Sequence, residues 1–155
     1  METLKIKIPK GFEVDDFNKT TGEIKFKPTP KSAIERIKNF DDILAENNLT
    51  QEKFDTQITG LPSDEKGYRK VKLIVAAYND GKLPDFTDGT YKYWPYFKMG
   101  SPSGVGFSCH GYDDWYSHSS VGARLVFCGK NAKVNMLDAV EKFLPEYKQF
   151  YTLKS

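Results

Sequence analysis

Residues 63–84 read SDEKGYRKVKLIVAAYNDGKLP, and they predict a buried helix. Apolar side chains occupy most of the circumference between residues 68 and 78, a pattern typical of a buried helix. Ser63 is a favourable N-cap, and two acidic residues follow it in the first turn, where the helix dipole favours negative charge. Gly81 suits the position after the last turn, and Pro84 prevents the helix from continuing.

The segments before this helix also carry a helical pattern. Apolar residues recur at helical spacing from Ala33 to Leu44, with an interruption near Asn39. Thr50 predicts the start of another short helix because its side chain can accept a hydrogen bond from a first-turn amide. Gly60 ends that segment.

Two stretches nearer the N-terminus alternate with period two. LKIKI at residues 4–8 and EIKFK at residues 23–27 place lysines on one face and apolar side chains on the other. We therefore expect residues 3–8 to pair with residues 23–27 in a two-stranded antiparallel unit. The lysine-rich face could attract phosphate, but lysines on a strand more often prevent edge-to-edge aggregation, which is the interpretation we favour.

The sequence after the central helix predicts three strands and a final helix. The strands are expected at residues 91–99, 104–110 and 120–128, joined as an antiparallel meander. Pro145 predicts a kink or a restart within the last helix. One apolar face of that helix is expected to hold Val134, Leu137, Val140, Leu144, Tyr147 and Tyr151. A shared core is expected to contain Val121, Leu125, Phe127, Leu137 and Phe143.

The order of elements predicts an α+β fold with mainly antiparallel pairing, because strands and helices are segregated along the chain. A length of 155 residues suits one globular domain covering residues 1–155. Hydrophobic residues make up 39% and aromatic residues 14% of the chain, which excludes a disordered protein and provides material for a core.

Residues 91–100, YKYWPYFKMG, contain five aromatic side chains and two lysines. If the three strands form the meander, alternation gives one outward face whose candidate binding residues are Lys92, Trp94, Tyr96, Lys98, His110 and Arg124. Flat rings flanked by cations can stack bases and neutralise phosphates. In the alternative interpretation, helices cover both faces of the sheet and the rings are ordinary core, which long aromatic side chains more often are.

Residues 108–120, SCHGYDDWYSHSS, are the most promising place to look for a metal or catalytic site. Neither spacing typical of structural zinc occurs there, and Cys109 and His110 are neighbours that point to opposite faces of a strand. The GFSCH stretch at residues 106–110 departs from the nucleophile-elbow pattern. We therefore predict no metal and no cofactor, and an enzyme is the least favoured of the function classes that we consider.

The totals predict a cytoplasmic protein without a membrane segment. No apolar run approaches the length that spans a bilayer, and the N-terminus METLKIKIPK is unlike a signal peptide. A net charge of +2 permits a nucleic-acid partner without arguing for one.

Three stretches resemble a family of uncharacterised phage and prophage proteins. They are IKIPKGFEVDDFNKTTGEIKFKP at residues 6–28, AAYNDGKLPDFTDGTYKYWPYF at residues 76–97, and VGARLVF at residues 121–127. Phe86 stands where that family's pattern often has tryptophan. The resemblance implies a protein of a mobile genetic element in a bacterial host, and it implies no activity and no catalytic residues.

These observations lead to two hypotheses about function. In the first, the chain is a non-enzymatic accessory protein that binds single-stranded nucleic acid through the outward aromatic and basic face. In the second, it is a protein-interaction or assembly component of a mobile genetic element, and the same aromatic residues form the interface.

Overall fold

The computed structural model describes residues 5–97, 110–112 and 125–151, with the backbone alone at residue 96 and at residues 110–112. The chain divides into two compact units, Met1–Ser32 and Ala33–Ser155. The described part has six helices and two antiparallel strand pairs, which confirms the α+β class. Among the described helices, none has both the length and the apolar character needed to cross a bilayer. A single domain over the whole chain stays a prediction.

The first unit contains an antiparallel hairpin of β1 (Phe12–Phe17) and β2 (Ile24–Pro28). Asn18 organises the turn, because its side-chain oxygen accepts a hydrogen bond from the Thr20 amide at 2.9 Å. Gly22 has a φ of +77°, in the left-handed region that glycine adopts without strain. The turn therefore has a sequence-encoded conformation that fixes which residues face each other.

The strand predicted at residues 3–8 is wrong, because β2 pairs with β1 instead. The described part of that segment, residues 5–8, lies in no strand. Closing the turn between Phe17 and Ile24 costs less chain entropy than closing the longer connection that the predicted pairing requires. The local hairpin therefore wins over the more regular alternation upstream.

A β-bulge interrupts the hairpin between Val14 and Asp16. Val14 pairs with Phe26, but Asp16 pairs with Lys25, so Asp15 is the extra residue on β1. Because of this extra residue, Asp16 lies on the same face as Glu13, and Phe17 lies on the same face as Val14.

Six helices of the second unit follow in the described residues: α1 (Ala33–Arg36), α2 (Phe40–Glu46), α3 (Gln51–Ile58), α4 (Ser63–Tyr78), α5 (Ala132–Lys142) and α6 (Leu144–Tyr151). The predicted interruption near Asn39 is confirmed. Asn39 caps α2 by accepting from the Asp42 amide at 3.1 Å, and the Asp42 side chain accepts from the Asn39 amide at 3.1 Å. Thr50 caps α3 as predicted, by accepting from the Lys53 amide at 3.3 Å.

The long helix α4 begins one residue earlier than predicted. Ser63 lies inside the helix, and the N-cap is Pro62, which makes no side-chain capping bond. The Lys66 amide donates to the Pro62 carbonyl at 3.0 Å, so the first helical hydrogen bond already starts there. At the other end, Gly81 has a φ of +71° and its amide donates to the Ala76 carbonyl at 2.9 Å.

The buried side of α4 carries Gly67, Val71, Ile74, Val75, Ala77 and Tyr78. At Gly67 the backbone of α6 comes so close that an added Cβ would lie 2.4 Å from the Phe150 amide nitrogen. Only glycine permits this approach, because protein interiors are close-packed. The prediction that α4 is a buried helix is confirmed on this side of the helix.

The C-terminal helix restarts near Pro145, as predicted, with α5 ending at Lys142 and α6 beginning at Leu144. Of the residues predicted to share one apolar face, Val140 and Tyr147 are buried, whereas Val134 and Tyr151 are exposed. The core is formed by Ala33, Ile37, Ile43, Val71, Ile74, Val75, Ala77, Tyr78, Phe97, Phe127, Ala132, Met136, Ala139, Val140, Phe143 and Tyr147. Of the five predicted core residues, Phe127 and Phe143 are buried there, Leu125 and Leu137 pack against it, and Val121 lies outside the described residues.

The predicted three-stranded meander is wrong. In the described residues, β3 (Pro95–Phe97) pairs with β4 (His110–Tyr112), and a single bridge joins Tyr93 to Phe127. The strand predicted at residues 91–99 is shortened because Pro95 has no amide hydrogen to donate, and proline is tolerated at the first residue of a strand. Residues 98–109 and 113–124, which include most of the other two predicted strands, lie outside the described residues.

Candidate interaction site

The loop before β3 contains two consecutive Asx turns. The Asp85 carboxylate accepts from the Thr87 amide at 2.8 Å and from its hydroxyl at 2.7 Å. Asp88 repeats the arrangement with the Thr90 amide at 2.9 Å and its hydroxyl at 2.8 Å. Side-chain oxygens of Asp that accept from the amide two residues later mimic a backbone turn. The repeated Asp-x-Thr spacing thus fixes this loop without regular secondary structure.

Lys92 lies inside this loop, where only 1% of the residue is exposed. Its ammonium donates to the Asp88 carboxylate and, at 2.9 Å, to the Thr90 carbonyl, and it lies 5.9 Å from the centroid of the Phe86 ring. The hydrogen bond from Lys92 is the main reason that the pKa of Asp88 falls to about 2. Alternation predicts an outward cation at this position. In the structure Lys92 is instead buried, and its charge is paired with the Asp88 carboxylate.

The other predicted binding residues are only partly described. Trp94 is half-buried, and Tyr96 and His110 are described by backbone alone. In the β3–β4 pair, His110 lies opposite Phe97 and Gly111 opposite Tyr96. Lys98 and Arg124 lie outside the described residues. The structure therefore brings the backbones of Tyr96 and His110 together, and it buries Lys92.

On the other face of residues 91–97, Phe97 belongs to the core and Tyr93 packs against it, whereas Tyr91 is exposed. The Tyr93 amide donates to the Phe127 carbonyl at 3.0 Å, and the Phe127 amide donates back at 2.7 Å. Phe97 is buried, with its ring centroid 5.6 Å from that of Tyr147 and 5.1 Å from that of Tyr151. Offset and tilted ring pairs at these separations stabilise a core.

Buried polar groups in the second unit anchor helices to one another. The Tyr78 hydroxyl donates to the Asp138 carboxylate at 2.5 Å, and the Lys142 ammonium donates to the same oxygen at 2.8 Å. Lys142 also donates to the Ile37 carbonyl at 2.8 Å and so ties α5 to the end of α1. Burial is the main cause of the raised pKa of Tyr78, and the hydrogen bond to Asp138 adds to it.

Cys128 has the features of a structural thiol. Its amide donates to the Asn79 side-chain oxygen at 3.0 Å, and burial raises the pKa of its thiol. A raised pKa keeps a thiol protonated, whereas nucleophilic cysteines have a lowered one. Within the described ranges, no three His, Cys, Asp or Glu side chains are grouped as a metal site. Cys109 and His118, which belong to the SCHGYDDWYSHSS stretch, lie outside those ranges.

The hairpin of the first unit has an apolar face that sequence reasoning missed. Cross-strand partners share a face, so Phe12 with Pro28, Val14 with Phe26, and Phe17 with Ile24 all lie on one side. We call these six residues the hairpin apolar face. Phe12, Val14 and Phe17 are 43%, 46% and 50% exposed.

The opposite face of the hairpin is charged and internally paired. Glu13 lies opposite Lys27 and Asp16 opposite Lys25. The Lys27 ammonium is 3.2 Å from the Asp15 carboxylate and 3.5 Å from that of Glu13. The hydrogen bond to Asp15 is the main cause of the raised pKa of Lys27. The hairpin is therefore amphipathic, with each strand contributing to both faces.

The sequence does contain a signal for this face, but the bulge conceals it. Without a bulge, the FEVDDF stretch at residues 12–17 puts Phe12 and Phe17 on opposite sides. One extra residue restores them to the same side. The Asp15–Asp16 doublet just before the Asn18 turn is the feature that could have pointed to it.

Comparisons of the chain with protein-family models, with curated proteins and with solved structures found no match.

Proposed function

We propose that this chain is a non-enzymatic protein-interaction or assembly component that binds another protein through the hairpin apolar face. The observation that supports it most is the half-exposed state of Phe12, Val14 and Phe17 on one side of an amphipathic hairpin. A two-stranded hairpin alone is marginally stable in water and needs a further strand or a packed surface over its apolar face. A contiguous exposed apolar patch typically marks an interaction surface.

A protein fits this face better than a nucleic acid does. The face combines aromatic with aliphatic side chains, and the two lysines of β2 lie on the opposite side, where Lys25 faces Asp16 and Lys27 is paired with carboxylates. Binding of single-stranded nucleic acid needs a cationic groove beside stacking rings. A patch of aromatic and aliphatic side chains without charges instead resembles the core of a protein interface.

Single-stranded nucleic-acid binding through Trp94 is the competing prediction. The half-buried Trp94 keeps part of its side chain accessible, which favours it. The buried, carboxylate-paired Lys92 removes one of the cations on which it depends. Our proposal also takes the resemblance to phage and prophage proteins as the biological setting, which makes a component encoded by the same mobile element the natural partner.

Site-specific photocrosslinking in cells that produce the full chain tests the proposal. A photoreactive phenylalanine analogue replaces Phe17 on the apolar face, Asp16 on the charged face, or Trp94. We expect one discrete crosslinked protein from position 17 and much less of it from position 16. The captured protein is then identified, purified and tested for direct binding. Equal capture from both hairpin faces, or nucleic acid captured at position 94 with no protein at position 17, would overturn the proposal.

A further inference from the structure

The segment Lys5–Ile8 alternates lysine with isoleucine, a β-branched residue that favours strands. The structure nevertheless leaves it outside any strand, with Ile6 and Ile8 46% and 47% exposed. Within the described part of the chain, none of these four residues makes a backbone–backbone hydrogen bond. A strong strand pattern without strand pairing is a conflict between local sequence and structure, and such conflicts tend to occur at functional sites.

We propose that Lys5–Ile8 is a docking strand, which adds to the edge of a sheet in a partner protein whose edge strand alternates carboxylates with apolar side chains. Strand addition of this kind takes its affinity from main-chain hydrogen bonds and its specificity from alternate side chains. The inference rests on the proposed function and names the chemistry of the partner. Pro9 ends the docking strand, because it has no amide hydrogen to continue a ladder.

Charge argues against a second copy of this chain as the occupant. In an antiparallel pair of two Lys5–Ile8 strands, any register that places isoleucine opposite isoleucine also places lysine opposite lysine. Like charges directly opposite each other destabilise a strand pair. Shifting the register by one residue removes that repulsion but places isoleucine opposite lysine. The lysines therefore act against self-pairing, as they do on many natural edge strands.

The same lysines favour an acidic strand. Residues 5–10 contain Lys5, Lys7 and Lys10 and no carboxylate. The hairpin of the same unit already shows how this chain satisfies strand lysines, because Lys25 lies opposite Asp16 and Lys27 opposite Glu13. An edge strand with glutamate or aspartate at alternate positions would offer Lys5 and Lys7 the same pairing, and its apolar positions would cover Ile6 and Ile8.

The probe is a soluble β-hairpin peptide whose outer strand alternates glutamate with valine, and the control replaces its glutamates with lysines. The full-length chain is titrated with each peptide while amide exchange and chemical shifts of Lys5–Ile8 are followed by NMR. We expect the amides of Ile6 and Ile8 to become protected and the glutamate peptide to bind about tenfold more tightly than the lysine peptide. In the Lys5→Glu/Lys7→Glu variant the preference should reverse.

Three results would overturn the inference: no protection by the glutamate peptide, equal binding of both peptides, or protection that rises with protein concentration when no peptide is present. The last result identifies a second copy as the occupant. The outcome is separable from the proposed function. If a partner captured at position 17 binds the Lys5→Glu/Lys7→Glu variant as tightly as the wild type, the apolar face is the interface and the docking strand is not part of it.

Discussion

Phe17 lies opposite Ile24 in the β1–β2 pair, although an unbroken register from Val14 and Phe26 would place Asp16 there. The extra residue, Asp15, is what puts Phe17 on the same face as Val14. With Asp15 present in the sequence, the bulge is therefore what gives this hairpin one apolar face instead of two mixed faces. The chain's candidate interaction surface depends on that choice.

Deletion of Asp15 should leave the apolar face intact. The shortened strand can pair with β2 in a regular register, and the Asn18 turn still holds Phe17 opposite Ile24. Cross-strand nuclear Overhauser effects between Phe17 and Ile24 in the full-length variant measure this. Contacts between Phe17 and Glu23 in their place would show that the turn does not set the register.

Two buried tyrosines should respond oppositely to loss of their hydroxyl groups. The Tyr147 hydroxyl is buried and has no hydrogen-bond partner among the described residues, so Tyr147→Phe should leave the free energy of unfolding unchanged or raise it by about 1 kcal/mol. The matched variant Tyr78→Phe loses the bond to Asp138 and should cost about 1–3 kcal/mol. Chemical denaturation measures both. A large loss for Tyr147→Phe would mean that its hydroxyl has a partner in the folded protein.

The Asp88–Lys92 pair should make stability depend on acid. The pKa of Asp88 is about 2 in the folded protein and about 4 in an unfolded chain. A lowered folded-state pKa contributes stability that is fully present above about pH 4 and is lost as the pH falls towards 2. The difference in melting temperature between the wild type and Asp88→Asn should therefore shrink over that interval.

Lys92→Met is the control for this pH dependence, because it keeps an apolar stem in the buried site and removes the ammonium. In that background, the Asp88→Asn substitution should change the acid dependence of melting less than in the wild type, because only the Thr90 hydrogen bonds still lower the pKa of Asp88. If the same dependence persists without the ammonium, Lys92 is not the group that lowers the pKa of Asp88.

Local signals in the sequence were sufficient for the helices of the second unit. Thr50 caps α3 as predicted, the predicted interruption near Asn39 is the point where that residue caps α2, and Pro145 marks the restart between α5 and α6. Each of these residues acts on backbone groups within a few positions, so its effect does not depend on distant parts of the chain.

The strands and the candidate site could not be predicted in the same way. A bulge breaks the period of two in β1, so the more regular alternation at Lys5–Ile8 predicts a strand more strongly than β1 does. The burial of Lys92 depends on a loop carboxylate four residues earlier, and no strand pattern reports that pairing. At Lys92 an ion pair with Asp88 outweighs the alternation pattern. In the first unit, the local turn at Asn18 outweighs it.

The central claim, that the hairpin apolar face binds a protein, is tested most directly by isothermal titration of the partner captured at position 17. Three full-length chains are compared: the wild type, Phe17→Ser on the apolar face, and Asp16→Ser on the charged face. We expect Phe17→Ser to weaken binding of the partner by about tenfold or more, the usual effect of removing a buried aromatic anchor. Asp16→Ser should change the affinity little. Binding that survives Phe17→Ser but is lost in Trp94→Ala would show that the interface lies in residues 91–97 instead.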